Sequence, residues 1–260
     1  MKYTGLKKNY INVEGSFGGN QEWMKEALDT WKGRAIGGYG CGLIGASDLL
    51  IHILGNGITD RSVSSVNPAY TSAPKEEKTY TALKKDDYIS FIRYMEKRYF
   101  HIYPKLGLSG ILLALGLNLF FFFNRRSIKE SSGCRYTARW AVWPSNMLDR
   151  IKEMLSNDIP VIISIGPGFF RKNKLKFYKK GVNASGEETY KQVTETKDHY
   201  VTITGVIEAK RPDNKDITLL EISSWGKKYY VNYAEYQQYV RHNDNYYFSN
   251  ILYIKKKPLS

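Results

Sequence analysis

In the first part of this chain apolar residues recur at helical spacing, and in the last part they alternate with polar ones. An apolar run opens at Cys41, directly after Tyr39-Gly40, and reads as a core helix. Asp86 to Phe100 predicts an amphipathic helix with an acidic first turn. Ser145 to Leu155 predicts another, with Leu148, Ile151, Met154 and Leu155 on one face. Between them, Leu106 to Phe123 is the longest apolar stretch. It contains Ser109, Asn118 and three glycines, and Arg125-Arg126 follow, so it is expected to be a buried helix and turn, without membrane contact.

From Asp158 onward the period shortens to two. Asp158 to Ile165, His199 to Val206, Ile217 to Ser223 and Tyr229 to Tyr233 read as strands, the last two as an antiparallel pair joined through Ser224-Trp225-Gly226. Arg171 to Lys197 reads as a long hairpin turning around Asn183-Ala184-Ser185-Gly186. Gly55 to Thr79, rich in Ser, Asn and Pro, reads as a loop beyond the Cys41 helix. Helices first and strands last predict an α+β fold. It is expected to form one domain over residues 1–260, with a helical lobe at about 20–155, an antiparallel β lobe at about 156–257 and a cleft between them.

Two residues carry candidate chemistry. Cys41 stands at the mouth of its helix, where unpaired N–H groups and the helix dipole favour a thiolate and face a developing oxyanion. His199 opens a strand. Of the four histidines, His52 lies too far along the Cys41 helix, His101 follows an aromatic helix end and His242 sits in a polar loop, which leaves His199 as the base. A nucleophile on a helix, a base at a strand start and an orienting group on the next strand make a workable cysteine–histidine site.

Gly40-Cys41-Gly42 leading into a helix, His199 heading Tyr200 to Val206, and Ser223-Ser224-Trp225-Gly226 together resemble the papain-like cysteine peptidases. The likeness is strongest to compact bacterial members similar to the bacteriocin-leader-processing peptidases, and its order and spacing run through most of residues 35–255. The resemblance implies a helical lobe with the nucleophile, a β lobe with the histidine, and hydrolysis of a peptide or protein substrate through a thioester. It places the ring-orienting group at Ser223, where papain-type enzymes have Asn, with Glu221 two residues earlier as the alternative, and it makes Trp225 the shield over that contact. The glutamine that completes the papain-type oxyanion hole has no counterpart shortly before Cys41, and Gln21 is too distant to assign by motif. The alternative function is a catalytically degenerate scaffold of the same fold that binds a peptide or an anionic partner.

Composition narrows the partners. With 39 Lys+Arg against 25 Asp+Glu, the formal charge of +14 attracts anions. The basic residues are dispersed, however, and no zinc finger, helix-turn-helix or RNA-binding aromatic motif stands out. The 21 tyrosines occur largely in strand-like pairs such as Tyr229-Tyr230, where sheet packing accounts for them. Cys41 and Cys134 allow at most one disulfide, and neither a metal-ligand cluster nor a cofactor motif is expected. The polar residues after Leu6 do not read as a signal peptide, so a reducing cytoplasmic setting is the expectation, with export by another route left open.

Overall fold

The alternating segments pair into one antiparallel sheet that runs through most of the chain. The computed structural model describes residues 1–28, 30–55, 83–105, 107–167, 173–184, 186–210, 216–242 and 246–259. Its strands are β1 (Lys2–Gly5), β2 (Asn12–Val13), β3 (Ser16–Phe17), β4 (Cys134–Trp140), β5 (Val161–Ile165), β6 (Leu175–Val182), β7 (Glu188–Thr196), β8 (His199–Lys210), β9 (Asp216–Ser224), β10 (Lys227–Asn232) and β11 (Ile251–Pro258). The main sheet has the order β4-β11-β5-β8-β9-β10-β6-β7, while β2 and β3 form a separate pair. One edge of the long β8 is shared: β5 pairs with its first half, at His199 to Ile203, and β1 with its second, at Gly205 to Glu208.

The helices are α1 (Trp23–Ala27), α2 (Trp31–Tyr39), α3 (Cys41–Leu54), α4 (Lys85–Arg98), α5 (Gly110–Phe123), α6 (Arg125–Ser132), α7 (Met147–Ser156) and α8 (Tyr233–His242). A single turn of 3₁₀ helix, Pro144–Asn146, leads into α7. The central helix, α3, is buried from Gly42 to His52 and lies on β5 and β8. α7 packs on β1, β8 and β11, and α8 on β6, β9 and β10.

The approach of α3 to the sheet depends on two glycines one turn apart. A Cβ at Gly42 would sit 3.3 Å from the Tyr200 ring, and one at Gly45 would sit 3.3 Å from Thr202 Oγ1 and 3.5 Å from Ile162. Both contacts are at or inside van der Waals separation, so hydrogen side chains are what let the helix backbone reach the strand.

The α+β class with an antiparallel sheet agrees with the sequence pattern. Three details differ. The sheet recruits β1 and β4 from outside residues 156–257, because their apolar positions find partners on β8 and β11. Tyr233, read as the end of a strand, instead opens α8, with Asn232 Oδ1 accepting from the Ala234 N–H at the helix start. α5 is a helix as expected but only half buried. Ile111, Leu112, Leu115, Leu119, Phe122 and Phe123 are exposed along its outer side. Among the described residues no single helix is long and apolar enough to cross a membrane. The loop expected beyond Gly55, through Thr79, lies outside the described residues, as do Arg171, Lys172 and Ser185 of the expected hairpin.

Helix propensity alone says that Gly45→Leu should stabilise α3 by up to about 1 kcal/mol. Packing against Thr202 and Ile162 reverses the sign. The substitution is expected to destabilise the fold by roughly 1–3 kcal/mol through overpacking, read as a lower midpoint in denaturant unfolding; a raised midpoint would show that α3 is not held this close to β8.

Candidate functional site

Cys41 is the first residue of α3, and its Sγ accepts a hydrogen bond from the Tyr200 N–H at 3.4 Å. That bond ties α3 to β8 one residue past His199. Both residues line one narrow pocket. Its walls come from α3 (Ile44, Gly45, Asp48), β8 (Tyr200, Val201, Thr202), β9 (Ser223, Ser224), the Trp225 turn and the segment holding Gly19 and Gln21. A much larger cavity, of about 650 Å³, lies elsewhere, between α5, α6 and β4, and contains none of these residues.

His199 is buried and covered by Trp225. The two rings stack at a centroid distance of 4.5 Å and an interplanar angle of 13°. Nε2 of the ring lies 2.8 Å from Ser224 Oγ. The hydroxyl on the histidine therefore belongs to Ser224 and not to Ser223. The reason is strand parity. Thr202 pairs with Ser223, so the two share a face with Tyr200, while His199 has the parity of Val201 and shares the opposite face with Ser224. Ser223 Oγ instead donates to the Phe17 carbonyl at 2.7 Å. Glu221, the alternative orienter, is engaged away from the ring: Oε1 accepts from Thr204 at 2.8 Å and Oε2 from Lys228 at 3.1 Å. Neither Ser223 nor Glu221 orients His199.

The turn that presents Trp225 is strained. Ser224 pairs with Lys227, which leaves Trp225-Gly226 as a two-residue hairpin loop with φ of 49° and 70°. Two positive φ values favour Asn-Gly, and a bulky residue at the first costs on the order of 1 kcal/mol or more. Asp198, immediately before His199, also has positive φ, at 53°. Strained residues thus flank both members of the His199–Ser224 contact. The loop is held from the N-terminal side, where the Gly226 N–H donates to Gly19 O at 3.0 Å and the Phe17 N–H donates to Gly226 O at 2.9 Å.

Asp48, two turns into α3 from Cys41, fixes that same N-terminal segment. Its carboxyl accepts from Tyr88 Oη at 2.6 Å, Tyr10 Oη at 2.9 Å and the Gly19 N–H at 3.1 and 3.3 Å. Burial pushes its pKa up to about 6, against the opposing pull of these donors. Gln21 follows from this loop. Its side chain lines the pocket, and Nε2 donates to Gly37 O at 3.0 Å. Its place at the site has no sequence signature, because α1 and α2 separate it from Cys41.

Electrostatics oppose the expectation of a thiolate. Burial raises the Cys41 pKa, although the Tyr200, Gly42 and Cys41 N–H groups pull it down. Burial also lowers His199 to about 3. Desolvation outweighs the helix terminus here because an uncharged thiol and imidazole cost less in a dry pocket than an ion pair without further partners. Cys41 and Cys134 are both free thiols. His52 is bonded to Asp158 at 3.4 Å, and His242 Nδ1 lies 2.7 Å from Gln238 O. His242, expected in a polar loop, is instead the last residue of α8, and 243–245 of that expected loop lie outside the described residues. Among the described residues no group of three or more His, Cys, Asp or Glu is placed to hold a metal ion.

Two outcomes test this geometry. Because the folded pKa of Asp48 is raised from 3.8, its protonated form is favoured in the fold. Its contribution to stability is therefore full below the unfolded value and is lost as pH rises through about 6. His199 opposes it, because its depressed pKa costs stability as pH falls below the ordinary histidine range. Subtracting Asp48→Asn from the parent isolates the first effect. Between about pH 7 and pH 4 the parent should gain roughly 2 kcal/mol relative to the variant in denaturant unfolding. Secondly, Trp225→Asn uncovers His199, so NMR titration of its ring protons should move from about 3 toward the ordinary histidine value; an unchanged midpoint would show that the indole is not what dries the ring.

Comparison with protein-family models, with curated proteins and with solved structures found no match to this chain.

Proposed function

We propose that this chain is a papain-like cysteine peptidase or a closely related amide hydrolase, in which Cys41 is the nucleophile and His199 the proton carrier. One observation carries the reading: Cys41 at the head of α3, His199 at the head of β8, Ser224 on the ring and Trp225 over it all line one pocket. The order of parts supports a papain-like architecture, with a nucleophile helix first and a histidine-bearing antiparallel sheet after it.

In the tautomer whose Nε2–H donates to Ser224 Oγ, Nδ1 of His199 is left as the base. Cys41 Sγ attacks the substrate carbonyl carbon as its proton passes to Nδ1, which requires the thiol on the α3 face of β8 and the ring on the opposite face to meet at the end of the strand, and the carbonyl electron pair moves onto oxygen. Collapse of that intermediate expels the amine, which takes the proton back from His199, and leaves a thioester on Cys41. Water then attacks the thioester, giving one proton to His199. Release of the acid returns that proton to the thiol. The first N–H groups of α3 have no intrahelical partner and face the oxyanion. Gln21 Nε2 spends one hydrogen on Gly37 O and keeps a second for the same oxygen.

A neutral thiol beside a neutral imidazole makes this a general-base reaction, not one that starts from a preformed ion pair. A binding-only scaffold of the same fold is the second reading, and the raised Cys41 pKa is the observation that favours it. A screen of peptide substrates with a parallel iodoacetamide labelling experiment separates the two. Cys41→Ala should abolish hydrolysis and labelling together. Labelling of the parent should climb with pH through and beyond the ordinary thiol range, with no plateau at acid pH. His199→Ala should abolish hydrolysis. Ser224→Ala should lower it on the order of 10-fold, the value of one neutral hydrogen bond, with a smaller effect from Ser223→Ala. Hydrolysis that survives Cys41→Ala would overturn the nucleophile; a labelled Cys41 with no peptide cleaved would favour the scaffold.

A further inference from the structure

Apart from Asn118 and its glycines α5 is wholly apolar, yet one side of it lies on the surface. At 100° per residue, Ile111, Leu112, Leu115, Leu119, Phe122 and Phe123 fall within an arc of roughly 120°, and each is between 39% and 62% exposed. On the opposite side Leu113, Leu117 and Phe120 are at most 1% exposed and packed into the core. A continuous row of six large exposed side chains on one helix is far more than the scattered apolar residues of an ordinary soluble surface.

The end of this row is cationic. The chain bends by 77° after Phe123 and enters α6 with Arg125-Arg126. The Arg125 guanidinium lies 4.6 Å from the centre of the Phe122 ring and donates to Phe122 O, so it is fastened to the edge of the apolar face. Arg126, Lys129 and Arg135 stand beside Phe121 and Phe122 along the adjoining groove, and no carboxylate lines it. Glu130 is the only acid on α6. Among the described residues, none of these four cations is ion-paired with a carboxylate.

We propose that the exposed face of α5, with the cations at its C-terminal end, docks the protein in the plane of an anionic lipid bilayer. Leu, Ile and Phe side chains enter the acyl boundary while Arg and Lys meet the phosphates, the combination that holds interfacial helices. α5 is too short to span a bilayer by itself. The 14 residues of α5 rise about 21 Å, short of the roughly 30 Å hydrocarbon core, and the inner side of the helix is already core. The net charge of +14 favours an anionic surface and works against a second copy of the same chain. The inner side of the docking helix reaches the nucleophile helix, since Leu113 lies 3.6 Å from the Cβ position of Gly42. The docking surface is thus one packing layer from Cys41, but the proposal stands whether or not Cys41 is a nucleophile.

Sedimentation with vesicles of phosphatidylcholine alone, and of phosphatidylcholine mixed with phosphatidylglycerol, tests it. The parent should partition onto the mixed vesicles and be weakened by salt. Arg125→Glu with Arg126→Glu should cost at least about fivefold per removed charge, which corresponds to about 1 kcal/mol each. Leu115→Gln with Leu119→Gln should cost roughly tenfold or more, with thermal unfolding and Cys41 labelling unchanged because both residues point outward. No binding to mixed vesicles overturns the proposal. Equal binding by the Leu115/Leu119 variant also overturns it, since attraction would then be purely electrostatic. So does concentration-dependent self-association of the parent that this variant abolishes, because a second copy would then be the occupant.

Discussion

The contact between α3 and β8 is the constraint on which the rest of the structure depends. Gly42 and Gly45 ease it, because a Cβ at either would come within 3.3 Å of Tyr200 or Thr202 and oblige that side chain to shift. At this separation the Tyr200 N–H reaches Cys41 Sγ, and the helix terminus and the strand terminus open into the same pocket. A wider spacing would leave Cys41 and the head of β8 without a shared pocket. The closeness also leaves Cys41 half-buried and His199 buried, and that loss of solvent raises the thiol pKa and lowers that of the histidine.

A second set of contacts carries order outward from that interface. Asp48 belongs to α3, but its carboxyl holds Gly19, and Gly19 holds Gly226, whose neighbour Trp225 covers His199. Each link is a short polar contact, so the strain at Trp225 and Asp198 is borne by structure on both sides of the turn. Two residues remote in sequence, Gln21 and Ser224, enter the pocket through this arrangement. The same fold leaves α5 divided, its inner face part of the core against α3 and its outer face uncovered beside four cations. So apolar a helix needs two apolar neighbours, and the described residues supply only one.

Local pattern was enough to read the α+β class, the helices at Cys41, Asp86–Phe100 and Ser145–Leu155, and the strands around Ile162, Val201 and Ile222, because amphipathic period and β-branched alternation are local properties. Cys41 and His199 were legible as candidates for the same reason: each begins a well-marked element. What local pattern does not contain is parity between paired strands. Whether Ser223 or Ser224 meets the ring depends on the Thr202–Ser223 register and on which side of the sheet α3 covers, so only the tertiary pairing selects Ser224. Recruitment of β1 and β4 into the sheet, the approach of Gln21 across α1 and α2, and the exposure of half of α5 are decided in the same way, by contacts between segments distant in sequence. The ionisation of the pair follows suit. The helix terminus at Cys41 is a sequence-level signal for a lowered pKa, whereas burial is a property of the assembled fold, and here burial outweighs it.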